Sequence, residues 1–243
     1  MDNITKQYYD SISKKLSQVY LEESDHIEQA ALILNDCIDS DHKVYFFGTG
    51  HSYMISQEIF GRAGGYAGFI PILLDELSMN HVVKSTYIER IPEYAQVVMN
   101  LYPFEKGDVC VVTSNSGRNQ LIIELCLRLI DVGVKIIAIT SLSESKKLES
   151  RHSSGKRLFE LADVVIDNKS EYGDVTIIHS NGKGSGPSST VVDCFIVNEV
   201  VSNFIEMQIN THEQAPVFTS SNIDGGDELN KDLFALYANT KLP

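Results

Sequence analysis

The amino-acid sequence predicts an α/β protein, a three-layer α-β-α sandwich in which helices cover both faces of a mainly parallel sheet. Short apolar segments alternate with longer segments of helical periodicity through most of the 243 residues. Several apolar segments end directly in Gly, Ser or Thr, as buried strands do where the chain turns into a helix. A long helical pattern precedes the first strand. Ligands of such folds bind beyond the carboxyl ends of the strands.

Each element follows from its own pattern of apolar residues. The predicted strands are residues 44–47, 69–73, 109–113, 134–140, 164–166 and, more weakly, 175–178. Apolar residues at helical spacing, beginning with Ile4, Tyr8 and Ile12, predict one long helix over residues 4–38. Further helices are predicted over residues 52–63, 75–102 with a break near Pro92, 119–132, 189–209 and 229–237.

The composition limits the classes of function. The formal net charge is −13, which disfavours nucleic acid and membrane surfaces as partners. The four cysteines form no C-x-x-C pair, so neither a disulfide framework nor a zinc site is predicted: Cys37, Cys110, Cys126 and Cys194. No secretion signal and no apolar segment of membrane-spanning length is recognisable. A cytoplasmic protein is therefore expected.

The whole chain, residues 1–243, is predicted to be one domain with two appendages. Residues 1–42 form a helical arm that either packs against another subunit or covers the core of its own chain. Residues 217–243 form a polar tail. Its segment 222–228 (NIDGGDE) is expected to fold over a binding site, its own or a neighbour's.

The first predicted strand is followed by a glycine-containing turn, Gly48-Thr49-Gly50-His51-Ser52-Tyr53. The turn begins like a dinucleotide-binding fingerprint, but Tyr53 stands where the third glycine would be. A Rossmann-type enzyme that binds NAD remains an alternative that this tyrosine disfavours. No Gly-Lys-Ser/Thr sequence follows, so the turn is not a P-loop.

A second loop, residues 114–119 (SNSGRN), follows the third strand and begins a helix. Hydroxyl groups and free N–H groups at a helix N-terminus can surround a phosphate, although Ser and Asn also serve as simple helix caps. Similar sequences begin two later helices, and capping alone explains this repetition poorly. The predicted phosphate-binding residues are Gly50, His51, Ser52, Ser114, Asn115, Ser116, Arg118, Asn119, Ser141, Ser188, Ser189 and Thr190.

These motifs resemble the sugar-isomerase (SIS) domain family over roughly residues 43–209. The family pattern has a G-x-G-x-S turn, an S-x-S-G-x-[TN] loop and a Ser/Thr start to a late helix. The segments 46–52 (FFGTGHS), 150–157 (SRHSSGKR) and 222–228 resemble a single-domain bacterial branch of sugar-isomerase-like proteins. The resemblance implies a five-stranded parallel sheet, and dimers or tetramers whose neighbouring chains complete the sites.

The resemblance also implies a function. Family members include aldose–ketose isomerases, an etherase acting on a phosphorylated sugar acid, and sugar-sensing regulators with a separate DNA-binding domain. About 42 residues precede the first strand here, which disfavours such a regulator. The expected function is isomerisation of a sugar phosphate, an amino sugar phosphate or a heptose phosphate, without a cofactor or metal. The alternatives are an etherase and a non-catalytic phosphosugar sensor. The absence of histidine from residues 53–63 and 190–210 weighs against the heptose route and a zinc site.

Isomerisation needs a carboxylate or imidazole that moves a proton between adjacent carbons. The candidates are Glu58 on the helix after the first turn, Glu89 and His81 in the segment after the second strand, and Glu199 within the late apolar helix. The alternative for Glu58 and Glu89 is a solvated surface position. Glu199 interrupts an apolar helix, where a carboxylate requires a partner or a function. The basic segment 150–157 either binds a second anionic group or is solvated.

Overall fold

The computed structural model describes residues 3–238, so the first two residues of the predicted arm and the last five of the tail lie outside it. Five parallel strands form one sheet in the order β2-β1-β3-β4-β5. They are β1 (Val44–Gly48), β2 (Ile70–Pro71), β3 (Val109–Thr113), β4 (Lys135–Thr140) and β5 (Val164–Asp167). The predicted fold class and the five-stranded parallel sheet are confirmed.

Helices cover both faces of the sheet. They are α1 (Ile4–Glu22), α2 (Ser24–Asp39), α3 (Tyr53–Glu58), α4 (Val82–Ile88), α5 (Tyr94–Leu101), α6 (Gln120–Val132), α7 (Leu142–Ser145), α8 (Ser189–His212) and α9 (Gly226–Ala238). Strand β1 shows the two layers, because Val44 and Phe46 pack with α2 and α8 while Tyr45 and Phe47 pack with α5 and α6. Each fully buried side chain of this kind contributes about 1.5–3 kcal/mol.

The register of the strands aligns the loops that follow them. Gly48 at the end of β1 pairs with Thr113 at the end of β3, and Thr113 pairs with Ile139 of β4. The loops after β1, β3 and β4 therefore leave the sheet side by side at one edge.

Three predicted elements are corrected. The helix predicted over residues 4–38 is divided at Glu23, whose backbone leaves helical geometry (φ −117°, ψ 0°) and whose buried carboxylate accepts a hydrogen bond from the Asp167 N–H at 3.2 Å. The helix predicted over residues 75–102 is instead two short 3-10 turns followed by α4 and α5. Residues 175–178 contribute only β6 (Ile177–Ile178), which pairs with β7 (Gly184–Ser185) in a separate antiparallel hairpin.

Within residues 3–238, no helix is both long and apolar enough to cross a lipid bilayer. In the same part of the chain, His, Cys, Asp and Glu side chains do not gather in groups of three or more that would suit a metal ion. All four cysteines are free thiols.

Candidate functional site

A cleft of about 400 Å³ lies at the carboxyl edge of the sheet. The turn after β1, the loop after β3, α7, the segment between β5 and α8, and the first turn of α8 surround it. Its lining residues are Thr49, His51, Ser52, Asn115, Glu144, Gly173, Asp174, Pro187, Ser189 and Thr190. Five of these ten were predicted as ligands from the sequence: His51, Ser52, Asn115, Ser189 and Thr190.

The turn after β1 is shaped by its glycines. A Cβ on Gly48 would lie 2.3 Å from the Ser52 carbonyl oxygen, so only glycine lets the chain fold back this tightly. Gly50 adopts a left-handed conformation (φ +60°). His51 and Ser52 consequently lie in the wall of the cleft.

The loop after β3 is stabilised by a hydrogen bond between two of its own residues. The Ser114 hydroxyl accepts a hydrogen bond from the Gly117 N–H at 3.2 Å, and Gly117 is left-handed (φ +56°). Asn119 is the N-cap residue of α6, but its side chain makes no capping bond to that helix. Its oxygen instead accepts from Nη1 of Arg151 at 2.6 Å. The side chain of Asn119 therefore joins two loops.

Simple capping is what the structure shows for Ser141. This residue is fully buried, and its hydroxyl accepts from the Glu144 N–H at 3.2 Å as the N-cap of α7. The same hydroxyl donates to the Ser170 carbonyl at 2.6 Å. Of the predicted ligands, Ser141 is thus placed away from the cleft wall by its burial.

At the start of α8, the expected anion position is filled by the chain itself. The Asp174 carboxylate accepts the backbone N–H groups of Ser188 and Ser189, each at 3.0 Å. It also accepts both hydroxyl groups, at 3.2 Å from Ser188 and 2.5 Å from Ser189. A helix N-terminus favours a negative charge, and here a protein carboxylate supplies it.

A hydrogen-bonded network runs from the cleft into the core. Asn115 donates to the Glu144 carboxylate at 2.8 Å. Asn168 donates to the Asn115 side-chain oxygen at 3.0 Å and to the Asp193 carboxylate at 2.8 Å. Burial raises the pKa of Asp193 to about 7, opposed by the Asn168 bond. Burial, and then the charge of Asp174, also raise the pKa of Glu144, which lines the cleft.

Glu89 lies between the two glycine-containing loops. Its carboxylate accepts a hydrogen bond from the Thr49 hydroxyl at 3.2 Å, and its backbone oxygen accepts from the Leu121 N–H at 3.1 Å. Burial raises the pKa of Glu89, opposed by hydrogen bonds from Thr49 and Asn119 and by the charges of Arg90 and Arg151. A carboxylate whose pKa is raised toward the working pH is suited to act as a general base.

Glu89 contacts the cleft-lining residue Thr49 but is not itself part of the lining, and the other three catalytic candidates lie farther from it. Glu58 forms an ion pair with Arg62 and accepts from Asn198 at 2.9 Å. His81 is exposed and lies 3.5 Å from a carboxylate oxygen of Asp75. Glu199 lines a separate groove between α8 and the first two helices. Ten residues of helix place it about 15 Å along α8 from Ser189.

The basic segment 150–157 and the tail both make contacts within the chain. Arg157 pairs with Glu160 at 2.9 Å, whereas Arg151 reaches Asn119 as described above. The tail pairs with the segment after α3, where the Phe218 N–H donates to the Gly65 carbonyl at 2.9 Å. Segment 222–228 lies outside the lining of this chain's cleft, so its predicted role over a site stays a prediction.

Four acidic or amide side chains at the site were not predicted from the sequence: Glu144, Asn168, Asp174 and Asp193. Glu144 carried a usable signal, since it comes three residues after Ser141 in a capping-box spacing at a strand end. Asp193 carried another, because it falls on the same helical stripe as Val197 and Val200. Asn168 and Asp174 are identified only by the folding of the chain.

The fold defines a doubly wound α/β protein with a cleft at the carboxyl ends of its strands, which is where ligands of such folds bind. A family model for the SIS domain matches residues 7–141, and the chain belongs to that family. A UPF0309 protein of Shouchella clausii is 38% identical over 229 residues, covering 93% of each chain. A UPF0309 protein of Oceanobacillus iheyensis is 37% identical and covers 96% of each chain.

Solved structures share the fold at low sequence identity. A phosphoheptose isomerase from Neisseria gonorrhoeae superposes with a TM-score of 0.57 at 14% identity, covering 82% of this chain and 96% of that one. The sugar isomerase domain of an RpiR transcription factor from Sphaerobacter thermophilus superposes with a TM-score of 0.56 at 14% identity, covering 97% of this chain and 98% of that one. The Vibrio vulnificus NanR protein complexed with ManNAc-6P superposes with a TM-score of 0.53 at 11% identity, covering 98% of this chain and 72% of that one.

Proposed function

We propose that the chain binds a phosphorylated sugar in this cleft and isomerises it between aldose and ketose forms. The observation that carries the proposal is the position of Glu89, a half-buried carboxylate of raised pKa held by Thr49 of one loop and Asn119 of the other. The loop 114–119 and Ser52 supply hydroxyl and N–H donors for the phosphate, despite the acidic chain. Solved structures of this fold include a phosphoheptose isomerase and a NanR protein complexed with ManNAc-6P.

The reaction moves two protons within the sugar and needs no oxidant or reductant. Glu89 removes the proton from C2 of the open-chain aldose, which leaves an enediolate, and returns it to C1. A second proton passes from the C2 hydroxyl to the C1 oxygen. In this proposal Glu144 carries that second proton, which is supported by its position in the cleft lining and its raised pKa.

The test measures binding and proton exchange separately. Wild type is incubated in D2O with pentose, hexose, heptose and amino sugar phosphates, and NMR follows both interconversion and deuterium uptake at C2. Calorimetry measures affinity. Glu89→Gln should lose exchange and retain binding, whereas Glu58→Gln, on a residue paired with Arg62, should retain both.

Each other outcome has a meaning. Exchange that survives in Glu89→Gln would remove Glu89 as the base. Binding without exchange in the wild type would favour a non-catalytic phosphosugar sensor; solved structures of this fold include a NanR protein complexed with ManNAc-6P and a domain of a transcription factor. Loss of a C3 substituent with water uptake would favour the etherase. No binding of any sugar phosphate would overturn the proposal.

The proposal extends to assembly as a homodimer or homotetramer with sites completed by neighbouring chains. Helix α1 leaves four large side chains exposed to solvent in the single chain, namely Ile4, Tyr9, Tyr20 and Leu21. Exposed apolar surface of this kind is suited to burial between subunits. Light scattering coupled to size-exclusion chromatography measures the mass, and a monomer at all concentrations would contradict the proposal.

A further inference from the structure

The arginines of this acidic chain divide into two groups. The sequence contains six: Arg62, Arg90, Arg118, Arg128, Arg151 and Arg157. Three of them form ion pairs with glutamates nearby in the sequence. Arg62 pairs with Glu58, Arg128 with Glu124 and Arg157 with Glu160. Among residues 3–238, Arg90, Arg118 and Arg151 have no carboxylate oxygen within 4 Å, although acidic residues outnumber basic ones by 33 to 20.

These three arginines gather at the start of α6. Arg118 belongs to the loop 114–119, and its carbonyl accepts the Arg151 N–H at 3.0 Å. Nη1 of Arg151 reaches the Asn119 side chain, and Arg90 directly follows Glu89, whose carbonyl is bonded to α6. Nε of Arg118 is enclosed and has no hydrogen-bond partner. Unpaired cations from three separate segments thus meet beside the loop proposed to bind phosphate.

Their combined charge exceeds what one phosphate requires. A phosphate monoester carries about −1.5 to −2 charges at neutral pH. The hydroxyl groups of the loop, its N–H groups and the α6 N-terminus already favour such a group. Three guanidinium groups add three positive charges, and partial desolvation together with the charges of Arg118 and Arg90 lowers the pKa of Arg151. Because the three guanidinium groups repel one another, the cluster is stabilised by a ligand whose negative charge exceeds that of one phosphate.

We propose that the ligand of this cleft carries a second anionic group, a carboxylate or a second phosphate, bound by Arg90 and Arg151 next to the phosphate on residues 114–119. Guanidinium groups bind both kinds of group through paired N–H donors. The inference rests on the proposed phosphosugar function and names its substrate class. It would hold equally for an enzyme and for a sensor.

Calorimetry with three probes tests the proposal. Glucose 6-phosphate has one anionic group, 6-phosphogluconate adds a carboxylate, and fructose 1,6-bisphosphate adds a phosphate. One of the two latter ligands should bind the wild type roughly tenfold tighter than glucose 6-phosphate. Arg90→Gln and Arg151→Gln should each bring this ratio of affinities close to one. Arg157→Gln, which removes the same charge from a pair with Glu160, should keep the ratio.

The outcomes separate this inference from the function on which it rests. Equal affinities for all three probes would overturn the second anionic group while leaving phosphosugar binding intact. A preference that Arg90→Gln and Arg151→Gln both retain would overturn the assigned residues. No binding of any probe would overturn the phosphosugar function itself. Melting curves of each variant confirm that the comparison is made on folded protein.

Discussion

The carboxylate of Asp174 accepts hydrogen bonds from both the N–H and the hydroxyl of Ser189, at 3.0 and 2.5 Å. Ser188 donates the same pair of bonds, so one side chain satisfies four donors at the start of α8. Asp174 adopts a left-handed backbone (φ +48°) to do so, at a cost on the order of 1 kcal/mol. The segment between β5 and α8 is thereby tied to the cleft.

Asp174→Asn should destabilise the protein, because the amide loses the negative charge that favours the helix N-terminus and cannot accept all four bonds. The expected loss is about 1–2 kcal/mol, which lowers the melting temperature by a few degrees. Differential scanning calorimetry measures it. Asp232→Asn, the same change on the exposed face of α9, serves as the control and should melt with the wild type. Equal melting of both variants would show that the Asp174 bonds contribute nothing.

Gly48→Ala should disrupt the turn after β1. Its new Cβ would lie 2.3 Å from the Ser52 carbonyl oxygen and 2.6 Å from its carbon, so the turn must open. We expect a loss of about 1–3 kcal/mol in the free energy of unfolding and weakened binding of sugar phosphates, both measured on one preparation. Gly182→Ala, in a turn of the β6–β7 hairpin, is the comparison: its left-handed backbone (φ +79°) makes alanine costly by about 1 kcal/mol, but no atom lies within 4 Å, so binding should be unchanged. Binding at wild-type affinity in Gly48→Ala would exclude this turn from the site.

Local pattern predicted most of the sheet. Strand β3 agrees with its predicted residues 109–113 because every residue of VCVVT is buried, so composition alone marks it. The break at Glu23 was not predictable in this way. Its carboxylate bonds with Asp167 and Lys169, more than 140 residues away in sequence, and such contacts override a continuous helical pattern.

The site was predictable in part for a similar reason. Ser52, Asn115 and Ser189 follow strands or begin helices, and parallel topology alone brings such positions to one edge. The acid on α8 was assigned to Glu199, but the fully buried acid of that helix is Asp193. Asp174 lies in an irregular segment whose path no periodicity specifies, so its bonds to α8 depend on the tertiary fold.

Asp193 should make stability depend on pH. Its pKa is about 7 in the folded chain against 3.8 when unperturbed, so the folded state holds the proton more tightly. Its stabilising contribution is complete below about pH 4 and is lost as the pH rises through about 7, by up to about 4 kcal/mol. Asp193→Asn keeps an oxygen for the Asn168 bond and does not titrate.

Urea unfolding of wild type and Asp193→Asn at several values between pH 5 and pH 8 isolates this contribution, because groups common to both proteins cancel. The stability of the wild type relative to the variant should fall from pH 5 to about pH 7 and level off above that, where Asp193 is ionised in both states. The corresponding difference for Asp232→Asn, an exposed residue, should stay constant. A pH-independent difference for Asp193→Asn would mean that Asp193 titrates as it does in water.

The Thr49 hydroxyl should hold down the pKa of Glu89. Burial raises this pKa and the 3.2 Å hydrogen bond from Thr49 opposes the rise, so Thr49→Val should raise it further. Carbon-13 NMR of the glutamate carboxyls measures the titration, with the resonance assigned by Glu89→Gln. Thr86→Val is the matched control, because that hydroxyl bonds to the Val82 carbonyl within α4.

A higher pKa leaves less of the ionised base at a given pH. The acidic limb of the proton-exchange profile should therefore move to higher pH in Thr49→Val by the same interval as the NMR titration. Agreement between the two shifts would identify Glu89 as the group that limits exchange. An NMR shift without a shift of the profile would assign that limb to another group, with Glu144 the first to examine.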